Sequence, residues 1–267
     1  MDMLEQMICI AQRAGTVARE QSGCLGRDDI FHKGSVDLVT RVDRELEDRI
    51  RSELAEVCPE VAFYGEEGSY GRLSDYDRVF IVDPLDGTTS YIHGHPFYSI
   101  SMAYREGGVT RLGVVHLPSF QETYWVQLGA GAFHDGRRLH VSDTPVLLEA
   151  LAATGFACVR ARLQPDGVPL FTDLIYRIRG IRRCGSAAID LCYVAEGRYD
   201  LYWEMHLQPW DTAAGVLMVQ EAGGRVTDLA GAGGFEERRH LVASNGRVHE
   251  EFLAVAARHP WLETAPP

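Results

Sequence analysis

No apolar run in the 267 residues approaches the roughly 18 needed to cross a bilayer, so no membrane helix is expected. Nor is there an excess of base. Twenty-six Lys and Arg face 38 Asp and Glu, a formal net charge of −12, the wrong sign for gripping a phosphate backbone through counterion release. Nucleic acid is therefore not expected as the main partner. The six cysteines (Cys9, Cys24, Cys58, Cys158, Cys184 and Cys192) form no C-x-x-C pair and are too sparse for a disulfide scaffold. Reduced thiols buried as small hydrophobes are predicted, and no zinc cluster. The first residues, Met1 to Gln6, carry acid where a secretory signal would carry base, and no long apolar stretch follows. A cytoplasmic location is expected. Internal repeats, low-complexity tracts and long linkers are also missing.

What is present is an ordinary globular composition, 46% hydrophobic and 24% charged, in a chain long enough for one large domain or two packed halves. Leu4, Met7, Ile8, Ala11, Ala14 and Ala18 recur at helical spacing, and Val42, Leu46, Ile50, Leu54 and Val57 repeat the pattern before Pro59. Two amphipathic helices should open the chain. From Val79 the period changes: residues 79–82, 98–104, 109–116 and 123–128 read as strands of an antiparallel meander punctuated by glycines. Beyond about residue 140, helical (187–196, 211–222) and extended (199–204, 225–228) segments alternate, which predicts a second sheet layered with helices. The expected halves are residues 1–137 and 138–267, with a cleft between them.

The sharpest local signal is Val82-Asp83-Pro84-Leu85-Asp86-Gly87-Thr88-Thr89, a strand ending in two carboxylates three apart, then glycine and two hydroxyls. Pro84 fixes its own φ and withholds an N–H, so the turn can aim Asp83, the Leu85 carbonyl and Asp86 at one point, the hard oxygen set that Mg²⁺ prefers. A helix starting at Thr88 would turn its free N–H groups and positive dipole end outward, where they can hold a phosphate. An ordinary turn with Asp and Thr as helix caps uses the same residues, and the motif alone does not separate the two. Further carboxylates stand at Gly65-Glu66-Glu67-Gly68 and at Trp210-Asp211, each by itself a common cap or solvated charge.

In combination these blocks resemble the inositol monophosphatase family of Mg²⁺-dependent, lithium-sensitive phosphatases. Five blocks carry the resemblance in order: Lys33 through Asp37-Leu38-Val39-Thr40 to Asp43, Gly65-Glu66-Glu67, Asp83 to Thr89, Gly185-Ser186-Ala187-Ala188, and Glu204 with Trp210 to Gly215. They span most of the chain. The resemblance implies a mixed α/β fold, the layered αβαβα sandwich shared by inositol monophosphatases and fructose 1,6-bisphosphatases, and a homodimer. It implies two or three Mg²⁺ per site, one held by Glu66, Asp83 and the Leu85 carbonyl, a second by Asp83, Asp86 and Asp211, with Glu66 reaching a third. Asp43 and Thr88 would orient the attacking water, with Glu66 counted among the catalytic residues. The N–H groups of Gly87 and Thr88 would hold phosphate oxygens. Asp86, Gly185, Ser186, Ala187, Glu204 and Asp211 would complete the substrate site, and Lys33 and Asp37 would belong to a flap.

The implied chemistry is direct attack of metal-activated water on a phosphate monoester of a small polyol or sugar, without a phosphoenzyme. Inositol 1-phosphate is the expected substrate, with fructose 1,6-bisphosphate, a 3′-phosphoadenosine nucleotide or histidinol phosphate as alternatives on the same metal core. Glu204 favours a polyol, because a carboxylate accepts paired hydroxyl hydrogen bonds. A regulator that kept the fold and lost turnover is the alternative of another class. Ser90-Tyr91 departs from the more common Asn-Phe, and the segment after Lys33 is one residue shorter than in some members, which bears on the flap and the third metal. His93 and His95 form an H-x-H pair, but Mg²⁺ prefers oxygen, so loop roles are expected.

Three rival phosphatase signatures fail on local grounds. Cys192 to Arg198 spells C-x₅-R, but the intervening residues read as helix and bring Glu196 where phosphate would sit. Asp75-Tyr76-Asp77 lacks the apolar strand that must precede an aspartyl nucleophile. Arg258-His259 lies near a Pro-rich end and is expected at the surface. The arginines 177, 179, 182 and 183 are read as a basic, solvated surface.

Overall fold

The computed structural model describes residues 1–32, 38–68, 70–233, 235 and 239–259. Helix α1 (Met3–Gln21) starts at a capping box: Asp2 accepts from the Glu5 N–H at 2.8 Å, and Glu5 accepts from the Asp2 N–H at 3.0 Å. Its buried stripe is Leu4, Met7, Ile10, Ala11, Ala14 and Ala18, so Ile10 takes an inner position where Ile8 was expected. The short strands β1 (Ile30–His32) and β2 (Leu38–Thr40) pair antiparallel and lead into α2 (Arg41–Val57), which buries Val42, Leu46, Ile50 and Leu54.

Next come β3 (Ala62–Gly65), β4 (Arg78–Asp86), the short α3 (Thr88–Ile92), β5 (Ser99–Glu106), β6 (Val109–Leu117), β7 (Glu122–Gln127), β8 (Gly131–His134) and β9 (Arg137–Arg138). They form a seven-stranded sheet in sequential order. All neighbours are antiparallel except β3 and β4, which run parallel. The antiparallel meander expected from residue 79 onward holds for β4 to β7, and β3 adds a parallel strand at its edge. A parallel pair needs a crossover instead of a hairpin, and residues 66–77 supply one.

The remainder contributes β10 (Leu151–Thr154), α4 (Ala157–Arg160), α5 (Val168–Leu174), β11 (Gly180–Arg182), α6 (Ala187–Ala195), β12 (Leu201–Met205), α7 (Pro209–Glu221), β13 (Arg225–Thr227), β14 (His240–Ser244) and α8 (His249–Ala256). The second sheet has the order β11-β10-β12-β14-β13, parallel around β10 and antiparallel around β14.

The alternation of strand side chains builds the layers. On β4 and β5, Phe80, Val82, Ile100 and Met102 face α1 and α2. Val79, Ile81 and Ala103 face the other way, onto α6 and α7, which pack in turn against Tyr202 and Ala243 of the second sheet. The outer face of that sheet, Leu201, Trp203 and Val242, is covered by α5 and α8. The result is the expected αβαβα sandwich. Asp83 continues the inward-facing series of Val79 and Ile81, and Glu204 that of Tyr202, so both turn toward the central helices. No helix among the described residues is long and apolar enough to cross a membrane. Of the pair expected at the surface, Arg258 is exposed, whereas His259 is half-buried beside Asp173, with 15% of its side chain exposed.

Two histidines lock the inner layers in neutral form. His249 bridges the Thr227 and Ser244 hydroxyls at 2.9 and 2.8 Å, His116 pairs with Thr123 at 3.0 Å, and burial pulls both from the usual 6.5 down to about 4. Between those pH values the unfolded chain binds more protons, so these histidines stabilise above pH 6.5 and lose that contribution as pH falls toward 4. Urea midpoints of wild type and His249→Gln should therefore converge as pH is lowered through this window. A difference independent of pH would show that His249 does not titrate in this way.

Candidate active site

Thr40 ends β2 and caps α2: its hydroxyl accepts from the Val42 N–H at 3.1 Å, and Asp43 accepts from the Thr40 N–H at 2.7 Å. The other oxygen of Asp43 accepts the Thr88 hydroxyl at 2.8 Å, across 45 residues of sequence. The Leu85 carbonyl lies 3.2 Å from the same hydroxyl. Burial raises the Asp43 pKa, against the hydrogen bonds from Thr40 and Thr88.

β4 does not stop at Val82 but runs through the motif to Asp86, with its register against β5 shifting between Asp83 and Asp86. That irregularity re-aims the two acids. Gly87 follows with φ +96°, and a Cβ there would lie 2.8 Å from the Phe97 carbonyl oxygen, so glycine is required before α3 starts. Asp83 accepts from the Leu85 N–H at 3.0 Å. Asp86 accepts the Ser186 hydroxyl at 2.6 Å and the Ala188 N–H at 2.9 Å, which ties the motif to the first turn of α6, where Ser186 is the N-cap. Asp211 stands in the first turn of α7 and accepts from the Gln208 N–H at 2.7 Å.

Glu66, Asp83, Asp86 and Asp211 act on one another. Burial first, then the charges of Glu66, Asp86 and Asp211, push Asp83 well above the usual carboxylate range. Burial and Asp86 do the same to Asp211, and burial lifts Asp86 to about 6. Crowded acids in a low-dielectric interior can all ionise only beside positive charge. Among the described residues no three His, Cys, Asp or Glu side chains already stand in metal-holding geometry. The donor set, four carboxylates and the Leu85 carbonyl, is nonetheless the hard-oxygen set that fits Mg²⁺ and offers no soft ligand.

Beside this cluster opens a cavity of about 170 Å³, with Asp86, Gly185, Ala187, Glu204 and Asp211 on its walls. Glu204 accepts the Tyr202 hydroxyl at 2.8 Å. Asp43, Thr88, Gly87 and Ser186, expected at the site, are not among the residues that line this cavity. Lys33 and Asp37, the expected flap residues, lie outside the described residues. His93 and His95 are exposed. The rival motifs do not converge: Cys192 is fully buried inside α6 against Met218, Arg198 lies over the Tyr193 ring, and Asp75 accepts from the Arg72 N–H in a turn.

Sequence reasoning missed several wall residues. Asp190 is buried on α6 with one carboxyl oxygen unpartnered, raised well above the usual range by burial and by Glu204 and Asp86. Its signal was legible, a lone acid in the apolar run Ala187 to Ala195. His206 sits at φ +61°, its ring bonded to the Pro165 carbonyl at 2.8 Å, and nothing in the sequence announced it. Arg183, read as solvated surface, lines the cavity.

A five-layer α/β sandwich closing on a buried acidic cluster at a strand–helix turn defines a narrow class. The chain belongs to the inositol monophosphatase family, a phosphatase family whose family model matches residues 2–260. It is 39% identical over 264 residues to the Nus factor SuhB of Pseudomonas aeruginosa, covering 96% of this chain and 97% of that protein. It is 37% identical over 257 residues to the fructose-1,6-bisphosphatase/inositol-1-monophosphatase of Thermotoga maritima, covering 96% of each. Among solved structures, the extragenic suppressor protein suhB from Bartonella henselae matches with a TM-score of 0.88 and 36% identity, over 94% of this chain and 97% of that one.

Asp83→Asn separates charge from shape at the cluster. A carboxyl whose folded pKa lies above its usual 3.8 favours folding while protonated and loses that contribution as pH rises through the folded pKa. In EDTA at neutral pH the Asn variant should therefore melt higher than wild type, while losing most of the Tm gain that Mg²⁺ confers on wild type. Thermal scans with and without Mg²⁺ check this, and a variant that melts lower in EDTA would contradict the repulsion.

Proposed function

We propose that the protein hydrolyses the phosphate monoester of a small polyol, with inositol 1-phosphate as the first candidate and two or three Mg²⁺ as cofactors. The observation that carries this reading is the convergence of Asp86, Asp211 and Glu204 on one cavity, with Glu66 and Asp83 close enough for their charges to act on this group. Glu66, Asp83 and the Leu85 carbonyl would hold one ion and Asp83, Asp86 and Asp211 a second, with Glu66 reaching a third. Bound Mg²⁺ would lower the pKa of water and offset the charge of the phosphate.

The chain's own groups supply position. The Thr88 hydroxyl proton is committed to Asp43, which leaves its oxygen to accept from a water, and Thr40 fixes the far side of the Asp43 carboxylate. In-line attack on phosphorus requires alignment and neutralised charge more than covalent help, so no phosphoenzyme is needed. The Gly87 and Thr88 N–H groups, at the start of α3, would take phosphate oxygens. Glu204, with Asp86, Gly185, Ser186 and Ala187, would meet the polyol hydroxyls. The division at residues 1–137 and 138–267 serves this chemistry, because Glu66, Asp83 and Asp86 come from the first part and Glu204 and Asp211 from the second. A homodimer, a cytoplasmic location, lithium sensitivity and the lack of a nucleic-acid partner complete the proposal.

The names of the relatives favour two further readings. The Thermotoga name puts fructose 1,6-bisphosphate beside inositol phosphate as a substrate. The Pseudomonas relative is named as a Nus factor and not as a phosphatase, which keeps the regulator as the second reading. Phosphate release from inositol 1-phosphate and fructose 1,6-bisphosphate, with Mg²⁺ and with EDTA, separates them. We expect Mg²⁺-dependent release with the higher kcat/KM on inositol 1-phosphate. Binding without release would favour the regulator. Glu66→Gln should cut kcat by orders of magnitude, and wild-type rates in that variant would refute the assignment.

A further inference from the structure

Glu47 lies one helical turn beyond Asp43 on α2, on the same face, and takes no part in the chemistry above. It is a carboxylate with only 3% of its side chain exposed, and both of its oxygens are occupied. One accepts from Arg51 Nη2 at 2.6 Å and from the Tyr70 hydroxyl at 3.1 Å, and the other accepts from the Glu67 N–H at 2.7 Å. Arg51 is held in turn by aromatic faces, 4.9 Å from the Phe63 ring centroid and 5.6 Å from that of Tyr70. Burial and the charge of Glu47 push the Tyr70 hydroxyl up to about 12, so it remains a donor across the neutral range.

Glu66 is flanked on both sides by contacts to this one carboxylate. After it, the Glu67 N–H donates to Glu47. Before it, Gly65 lies so close that a Cβ would stand 2.3 Å from the same Glu47 oxygen. The end of β3 and the turn beyond it are thus pinned to α2 at the point where Glu66 must face Asp83. Glu47 is not among the residues that line the cavity, and three of its roughly four acceptor sites are taken by Arg51, Tyr70 and a peptide N–H.

We propose that Glu47 is a positioning residue: it fixes the backbone on either side of Glu66 and thereby sets the affinity of the acidic cluster for Mg²⁺. The inference rests on the reading of Glu66 as a Mg²⁺ ligand. It places control of that ligand on the helix that carries Asp43, so one element aligns both. Groups that orient metal ligands in this way typically govern metal affinity by about 10- to 100-fold.

The test is calorimetric titration of the full chain with Mg²⁺, together with melting in EDTA and the Mg²⁺ dependence of turnover. Glu47→Ala should weaken Mg²⁺ binding by roughly 10- to 100-fold and raise the Mg²⁺ concentration for half-maximal rate, with kcat largely recovered at saturating Mg²⁺. Glu47→Gln, which keeps one acceptor oxygen, should lose less. Gly65→Ala keeps the Glu47 side chain but displaces its carboxylate, and should reproduce the weakening even if Glu47→Ala does not fold. Unchanged Mg²⁺ affinity in Gly65→Ala and Glu47→Gln, with only a lower Tm, would overturn the proposal and leave Glu47 a structural ion pair. Wild-type protein that binds no Mg²⁺ would instead overturn the functional reading beneath it, an outcome the wild-type titration identifies by itself.

Discussion

Three carboxylates, Asp83, Asp86 and Asp211, held within each other's field with little water to screen them and with half-buried Glu66 beside them, are the constraint around which this fold is arranged. Asp83, Asp86 and Asp211 are pushed upward by burial and by one another. Such a cluster opposes folding and persists only if its backbone is over-determined. The structure meets that requirement with backbone N–H groups and hydroxyls aimed at the carboxylates: Leu85 N–H on Asp83, Ser186 and Ala188 on Asp86, Gln208 N–H on Asp211. Helix starts supply much of this, because α2, α6 and α7 all bring unsatisfied N–H groups and positive dipole ends toward acids.

The layered architecture follows from the same need. Asp86 ends β4, Glu66 follows β3 and Asp211 lies in the first turn of α7, while Asp83 and Glu204 lie within strands whose inner faces turn toward the central layer. The inward series of β4 delivers Asp83, that of β12 delivers Glu204, and α6 and α7 run between them. Apolar packing therefore does the positioning. Val79, Ile81, Ile189, Leu191, Tyr202 and Ala243 pack into one core, and Asp83 and Asp190 are buried beside them on the same strands and helices.

Much of this was legible in the chain. α1, α2, β5, β6 and β7 follow from periodicity, and the Asp83 to Thr89 motif follows from chemistry that few other folds need. Less legible were β10 and β14, short strands buried on both faces, in which no alternation marks an inner and an outer side, and β11, a three-residue edge strand too short to show a period. The parallel pairing of β3 with β4 was hidden for another reason: strand direction depends on a crossover whose path is set by packing. His206 was missed because its meaning lies in neighbours from other elements, whereas Asp190 was marked by its place as a lone acid in an apolar helix.

The amino-acid sequence by itself determined which oxygens exist and how each meets its own turn: Asp83 against Leu85, Asp43 against Thr40, Asp211 against Gln208, all within three residues. Local sterics and capping decide such contacts, so a pattern of residues is enough to read them. Only the tertiary structure decided that Thr88 meets Asp43, that Ser186 meets Asp86 and that Glu47 meets the Glu66 turn, pairs separated by 45, 100 and about 20 residues. Closing loops of that length is driven by burial of the whole core, a property of the packed chain that no local segment carries.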